Sequence, residues 1–356
     1  MKRVARSTIK EVASAAGVST QTVSRVINNS PDVSSETRKR VQDVIEKLRY
    51  QPSALARSLI RQRSHTLGVA TAGLNYIGPS RTLSGIALAA EAAGYSLLLM
   101  ELPGFEVHDI SPIMRSFLSR HVDGIIWAVP EVGENHAWVT NQALDLEVPL
   151  VHITMAPRKN NSVVFADNYL GGRMATAHLI EQGYRHIAHI SGPLDWWEAR
   201  QRKASWKDAL DEAGLEPTEE HWAEGNWSPE SGAQIFEKLL EHYVEMDSLF
   251  VGNDQMALGV LQVARQRGLR IPDDIGIVGF DNLPESAFFT PPLTTVEQDQ
   301  YSVAKLAVEE ILKIIESDWQ GLESVHSRSL ILPPTLIVRQ SSLRVIEGSG
   351  AQGSIK

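Results

Sequence analysis

Cysteine is absent from the 356 residues, which at one stroke excludes a disulfide framework, a thiolate metal site, an iron–sulfur cluster and a cysteine nucleophile, and fits a reducing cytoplasm. No run approaches about 18 uninterrupted apolar residues, so no membrane span is expected. The basic start, Met1 to Lys10, leads into a polar amphipathic segment and not into an apolar core with a small-residue cleavage site, so no secretory signal is expected either. Enzyme signatures are missing as well: there is no phosphate loop, no dinucleotide glycine fingerprint, no nucleophile elbow and no zincin helix. The 11 histidines are scattered, and His186 with His189 lacks a third ligand at metal spacing. The expectation is a protein that is no enzyme and that uses no metal or cofactor.

What is present is an ordinary globular composition, 43% apolar and 22% charged, with an uneven distribution of charge. Residues 1–63 carry 13 Lys and Arg against 5 Asp and Glu, whereas the remainder carries 21 against 38. A head of +8 on a body of −17 suggests that the head meets a polyanion and the body avoids one.

The head reads as short helices. Thr8 and Glu11 make a capping box, and Ile9, Val12, Ala13 and Ala16 follow at helical spacing. Gly17 can end that helix in the left-handed conformation, and Ser19 can cap a second one carrying Thr22, Val23, Val26 and Ile27. A third helix from about Ser34 is expected to bury Val41, Val44, Ile45 and Leu48, with Glu36, Arg38, Lys39, Arg40, Asp43, Glu46 and Lys47 facing water. Two helices joined by a glycine turn and braced by a third form a helix-turn-helix unit. In such a unit the start of the second helix reaches base edges, which makes Thr20, Gln21 and Arg25 the readers: Thr for the thymine methyl, Gln for adenine, Arg for guanine. Thr8, Ser19, Thr22, Ser24 and Asn28 stand where phosphates are held. The bland alternative is a surface hairpin that binds no DNA.

From Leu67 the pattern changes to apolar strands alternating with helices, which implies parallel sheets with covered faces. Strands are expected at 67–71, 96–100, 124–128, 150–154, 187–191, 248–251 and 275–280, and helices at 83–93, 173–181, 200–213, 235–243, 256–267 and 303–315. About 290 residues exceed what one doubly wound sheet usually needs, so two lobes with a cleft between them are expected. The division expected is a DNA-binding domain over 1–50, a hinge helix and linker over 51–64, a two-lobed effector-binding and dimerisation domain over 65–345, and a Gly- and Ser-rich disordered tail over 346–356. The tail lacks Leu heptads, which favours a dimer over a tail-built tetramer.

The run from Thr8 to Asn28, with Val33-Ser34 and Thr37-Arg38 after it, resembles the head of the lactose-repressor (LacI/GalR) family, and the likeness extends over nearly the whole chain. The resemblance implies a homodimer on a pseudo-palindromic operator and a body of two doubly wound lobes folded like type I periplasmic sugar-binding proteins. Tyr50 to Leu59 is similar to the family's hinge helix, in which an apolar wedge enters a minor-groove step and kinks the duplex. Leu59 matches the wedge and Ala56 its small neighbour, and Ser53 stands where many relatives carry Asn. Read without the family, Leu55 and Leu59 are core positions of a linker helix.

In the body, Gly252 to Gly259 and Val278 to Asn282 resemble family signatures at strand ends, where open parallel sheets bind ligands. Arg200 to Trp206 resembles the family's effector arginine motif, with Arg202 as the matching arginine and Ser205 in place of the usual glycine. A planar guanidinium and a carboxylate together suit the vicinal hydroxyls of a polyol, so Arg202, Asn253 and Asp281 form the expected polar trio, each alone being readable as a solvated charge or a helix cap. Trp227 matches a tryptophan of lactose-responsive members, and Trp196, Trp197 and Trp127 offer further ring faces, although buried core is the ordinary reading of a tryptophan. Asp167 and Gln298 match cleft positions and could equally be capping or crossover residues.

The resulting expectation is a cytoplasmic, sugar-responsive repressor with operator DNA, a small-molecule sugar and a second copy of itself as partners. A galactoside or related glycoside leads over a purine because this much aromatic surface beside hydroxyl-binding groups suits a pyranose. A regulator answering to a non-sugar effector or corepressor, a sugar sensor without DNA activity, and a doubly wound enzyme are the competing classes.

Overall fold

Helix starts in the head are set by side chains that satisfy orphan backbone donors. In the computed structural model, which describes residues 7–27, 29–50, 63–106, 109–138, 146–159, 161–321 and 328–344, the Glu11 amide donates to Thr8 Oγ1 at 3.3 Å and the Thr8 amide to Glu11 Oε2 at 2.7 Å. That box opens α1 (Ile9–Ala16), Ser19 opens α2 (Thr20–Ile27) by accepting from the Thr22 amide at 3.1 Å, and Ser34 opens α3 (Ser35–Lys47). Gly17 ends α1 at φ +64°, and the Val18 amide turns back to the Ala13 carbonyl at 3.0 Å. Val12, Ala13, Ala16, Val23, Val26 and Val41 form the buried core, with Val44, Ile45 and Leu48 packed around it.

One expectation in the head is corrected. Arg38 does not simply face water: its guanidinium donates to the Val26 carbonyl at 3.5 Å, Asn29 Oδ1 at 3.2 Å and the Ser30 carbonyl at 2.6 Å. The last carbonyls of α2 lack intrahelical donors and carry partial negative charge, so a cation on the neighbouring helix is drawn to them. Asn28, the hinge with Ala56 and Leu59, and the tail over 346–356 lie outside the described residues.

The chain divides into two compact units, Met1–His65 and Thr66–Lys356. Among the described residues the second holds two six-stranded sheets. The first is built from β1 (Thr66–Ala72), β2 (Ser96–Leu102), β3 (Gly124–Ala128), β4 (Leu150–Ile153), β5 (Ser162–Ala166) and β11 (Ser329–Leu332), in the order β11-β5-β4-β3-β1-β2, all parallel. The second is built from β6 (Ile187–Ser191), β7 (Trp222–Glu224), β8 (Ser248–Val251), β9 (Gly276–Phe280), β10 (Thr294–Glu297) and β12 (Thr335–Ile337), in the order β12-β10-β9-β8-β6-β7, with β12 alone antiparallel. The chain passes between lobes three times: after β5, after β10 and between β11 and β12.

Strand alternation gives each sheet two apolar faces. In β3, Ile126 and Ala128 join the layer with Ile86, Ala304 and Ile311, while Ile125 and Trp127 join the opposite layer with Met114 and Phe117. These faces are covered by α4 (Ile77–Ala92), α5 (Ser111–Leu118) and α10 (Gln300–Trp319); in the second lobe α6 (Asn168–Glu181), α7 (Trp197–Glu212), α8 (Pro229–His242) and α9 (Asp254–Gln266) do the same. Each fully buried Ile, Leu or Phe contributes about 1.5–3 kcal/mol.

The expected strands all form, shifted by no more than two residues at an end, but β5, β7, β10, β11, β12 and α5 were not anticipated. Short strands recruited by an existing sheet edge carry too few residues for a period to show. Helices α4, α6, α7, α8 and α10 begin three to six residues earlier than expected, at Ile77, Asn168, Trp197, Pro229 and Gln300, because their first turns hold residues without apolar periodicity.

Gly17→Ala meets no steric obstacle within 4 Å, so its cost is the left-handed backbone alone. At about 1–2 kcal/mol, amide exchange in α1 and α2 of the intact protein accelerates about 5- to 30-fold while the body's exchange is unchanged.

Candidate functional site

On the head, Thr20, Gln21 and Arg25 are exposed, and Gln21 and Arg25 lie four residues apart on one face of α2. Ser19 and Thr22 pair their hydroxyls at 2.9 Å at the positive end of that helix, Thr8 caps α1, and Ser24 is half-buried. Hydroxyls and free amides at two helix starts are a phosphate-holding chemistry, and the exposed long side chains beside them have the reach for base edges.

In the body, both sheets reverse strand order at one place, between β1 and β3 and between β6 and β8. Loops leaving those strand ends diverge and leave a crevice, and the two crevices face each other across the lobes. The space between them, counted together with the solvent at its mouth, is about 690 Å³. Its first-lobe wall is Tyr76, Ile77, Gly78, Pro79 and Thr82 after β1, Ala128 and Pro130 at β3, and Thr154 after β4. Its second-lobe wall is Trp196, Glu198 and Arg202 after β6, Trp227 after β7, Asn253 and Gln255 after β8, and Asp281 after β9, with Gln298 and Gln300 at a crossover.

Arg202 is the centre of this wall. It is 4% exposed, donates from Nε to Asn168 Oδ1 at 2.8 Å and from Nη1 to the Gly252 carbonyl at 2.5 Å, and holds Nη2 at 3.9 Å from Asp281 Oδ1. Its guanidinium lies 3.8 Å from the Phe280 ring centre and 5.5 Å from that of Trp227. Burial draws Arg202 below its ordinary value, opposed first by Asp281. The Asp281 carboxyl is pushed up by burial, against the pull of Arg202 and the Gln298 amide that donates to it. Asp254 anchors this corner, accepting from the Leu283 amide at 2.8 Å and from Thr295 Oγ1 at 2.6 Å, and burial with Asp281 nearby pushes it up to about 7.

Asn253 serves as both cap and wall: its Oδ1 accepts from the Met256 amide at 2.8 Å, and its Nδ2 donates to the Trp227 carbonyl at 3.1 Å. That bond helps hold Trp227 at φ +70°, and a side chain at Gly192 would come within 2.0 Å of the indole, so glycine there makes room for the ring. Thr154 and Asp281 also have positive φ, at 59° and 107°, so three non-glycine residues in unfavourable backbone conformations meet around one cavity, the kind of stored strain found at ligand sites. Trp196 meets Tyr76 edge to face at 5.3 Å and Trp227 at 5.9 Å.

Three expected residues are elsewhere. Trp127 is 2% exposed and packs on Trp138 at 4.8 Å, because its strand face looks away from the cavity and only Ala128, on the other face, reaches it. Trp197 turns opposite to Trp196 and inserts into the first lobe's core against Phe165 at 5.2 Å. Asp167 caps α6 by accepting from the Leu170 amide at 2.8 Å, and its neighbour Asn168 is the one that reaches Arg202. Conversely Tyr76 and Thr154, single residues on loops, and Gln255 and Gln300, in the first turns of α9 and α10, were not anticipated. Glu198 was also missed, although its place four residues before Arg202 puts both on one face of α7.

A clasp joins the lobes beside the cavity. Val132 and Trp196 form an antiparallel bridge, the Gly133 amide donates to the Asp195 carbonyl at 2.8 Å, and the Trp197 amide donates to the Glu131 carbonyl at 3.0 Å. The Glu131 carboxylate accepts from Arg158 at 2.8 Å and the Ala156 amide at 3.0 Å, with Arg200 of the second lobe at 3.6 Å. Burial alone would push Glu131 up, but these donors bring it below its ordinary range.

Comparison with known proteins places this geometry. Residues 8–53 match the bacterial regulatory proteins of the lacI family, and residues 176–342 match the periplasmic binding protein-like domain. The chain is 34% identical to the ribose operon repressor of Escherichia coli, over 94% of this chain and 100% of that protein. It is 35% identical to the HTH-type transcriptional repressor PurR of Glaesserella parasuis, over 94% and 98%. The crystal structure of the lac repressor dimer bound to operator and the anti-inducer ONPF superposes with a TM-score of 0.83 at 31% identity, covering 96% of this chain and 100% of that one.

Glu198 generates a pH prediction. Burial pushes its carboxyl from an ordinary 4.5 to about 7, opposed first by a hydrogen bond from its own backbone amide and then by Arg202 and Arg200, with Glu131 adding to the rise. A raised carboxyl binds its proton more tightly folded than unfolded, so it subtracts stability as pH climbs from about 4.5 through about 7. Glu198→Gln therefore raises the melting temperature by several degrees at pH 8 and leaves it nearly unchanged at pH 5, as read by scanning calorimetry.

Proposed function

From membership of the lacI family of bacterial regulatory proteins, to which this chain belongs as a DNA-binding transcriptional repressor with a ligand-binding body, we propose that its operator affinity is governed by a sugar bound between the two lobes, a galactoside or related glycoside. The observation that carries this reading is the wall around Arg202. A guanidinium locked in plane by Asn168 and the Gly252 carbonyl stands beside the Asp281 carboxylate and under the Trp227 ring, so paired donors and acceptors for vicinal hydroxyls adjoin a face for C–H groups. The cavity opens to solvent between the two walls, so a small polyol can enter it.

The working unit in this reading is a cytoplasmic homodimer on a pseudo-palindromic operator. Thr20, Gln21 and Arg25 read bases, Thr8, Ser19, Thr22, Ser24 and Asn28 hold phosphates, and Leu59 with Ala56 wedges the minor groove. A ligand touching both walls changes how the lobes stand to each other, and the dimer passes that change to the hinges. A coupling of about 1–3 kcal/mol changes operator affinity by about 5- to 150-fold. The charge division supports the same picture, since the head carries +8 and the body −17.

The test is fluorescence anisotropy of the full-length protein on a duplex from its own upstream region, with galactosides, glucosides and their monosaccharides added. Release by one sugar supports induction, tightening reverses the sign, and specific binding that answers to no sugar overturns the cleft reading. Affinity should also fall steeply with salt, and a flat salt dependence would count against head-to-phosphate contacts. In the same assay Leu59→Ala weakens operator binding while calorimetric sugar affinity is retained; equal loss of both would remove the wedge assignment.

A further inference from the structure

One carboxyl in the cavity wall is left over when hydroxyl-binding roles are assigned. Glu198 stands on the first turn of α7, is 8% exposed, and has its Oε2 buried without a hydrogen-bond partner among the described residues. Arg202, one turn further on, does not meet it, because Nε and Nη1 go to Asn168 and Gly252 and Nη2 faces Asp281. Arg200 is turned to Glu131 and to the carbonyls of Leu194 and Asp195. Among the described residues of the wall, Arg202 is the single Lys or Arg, set against the carboxyls of Glu198 and Asp281, with buried Asp254 behind them.

A buried carboxyl with one oxygen lacking a donor is costly to ionise, and Glu198 lines the cavity, so a ligand seated there meets its charge. The rest of the wall near it is neutral. The Tyr76, Trp196 and Trp227 rings meet edge to face and bring no charge. A neutral sugar adds no charge beside the Glu198 carboxyl, which lines the cavity. A ligand with its own carboxylate or phosphate instead brings a like charge into a low-dielectric space whose one guanidinium is already balanced in charge by Asp281.

We propose that Glu198 is a specificity-determining residue that sets the charge of the effector, accepting hydroxyl or amino donors from a sugar and excluding sugars that carry a carboxylate or phosphate. The proposal rests on the sugar reading above and goes beyond it in naming which sugars are refused and by which residue.

The test is titration calorimetry of the full-length protein at pH 8, where Glu198 is ionised, with matched sets built on galactose and on glucose: the free hexose, its methyl β-glycoside, the 2-amino sugar, the uronate and the 6-phosphate. Expected is binding of neutral or amino members and about tenfold or weaker binding of both acids, with Glu198→Gln closing that gap to about threefold. Glu198→Asp keeps the carboxylate and should keep the rejection. If Glu198→Gln loses all binding, the Asp variant decides, since retained rejection supports the proposal and lost rejection overturns it. Acids bound as tightly as their neutral partners by the unaltered protein, or a gap that Glu198→Gln leaves untouched, overturn the proposal while the sugar reading stands. If no member of either set binds, the sugar reading itself falls and the proposal with it.

Discussion

A buried guanidinium is the constraint around which the body is organised. Arg202 cannot shed its charge and is 4% exposed, so the fold has to bring acceptors to it from several directions. Asn168 comes from the start of α6, the Gly252 carbonyl from the end of β8 and Asp281 from the end of β9, while Phe280 supplies a ring beneath it. Each of these positions is a strand end or helix start, and each is in turn braced: Asp281 by Gln298, and the turn that follows it by Asp254. The cation thus acts as the hub that ties three loops of the second lobe into one surface. A ligand with paired hydroxyls meets a site already ordered, which lowers the entropy lost on binding.

Around that hub the two lobes are coupled by contacts of different stiffness. The three chain crossings tether the lobes covalently. The bridge between Val132 and Trp196, the Glu131 carboxylate between Arg158 and Arg200, and the Trp197 ring seated in the first lobe's core hold the cleft in the arrangement seen here. Several of these contacts are made by residues 195–200, the segment that also presents Trp196 and Glu198 to the cavity. Anything that moves a ligand-facing side chain there pulls directly on the inter-lobe contacts. The positive φ angles of Thr154, Trp227 and Asp281 place backbone strain at the same spot, so the site has conformational energy to release.

The head follows a different logic. Its core is six small aliphatic side chains, and its helix limits are set by Thr8, Gly17, Ser19 and Ser34, each acting within a few residues of itself. Arg38 is the exception that draws distant parts together, reaching from α3 to the carbonyl end of α2. With so little apolar surface to bury, such caps and staples carry a large share of what orders the head.

That difference explains what was legible. Capping boxes, a glycine turn and helical periodicity are local, so the three head helices and their limits could be read from the chain directly, as could the long apolar strands of the body and its two-lobed α/β class. The polar trio was legible in part: Arg202, Asn253 and Asp281 all reach one cavity wall, and Trp196, Trp227 and Gln298 join them. What local pattern could not decide is which way a side chain turns within a folded layer. Trp127 and Ala128 are adjacent in sequence and lie on opposite faces of β3, as Trp196 and Trp197 part at the start of α7. Sequence alone determined the head, the strand–helix alternation and the residue types gathered at strand ends, because those depend on short-range geometry. The tertiary structure alone decided that Trp127 and Trp197 are core, that Glu198 and Tyr76 face the cavity and that Glu131 clasps the lobes, because burial and pairing there arise between segments tens to hundreds of residues apart.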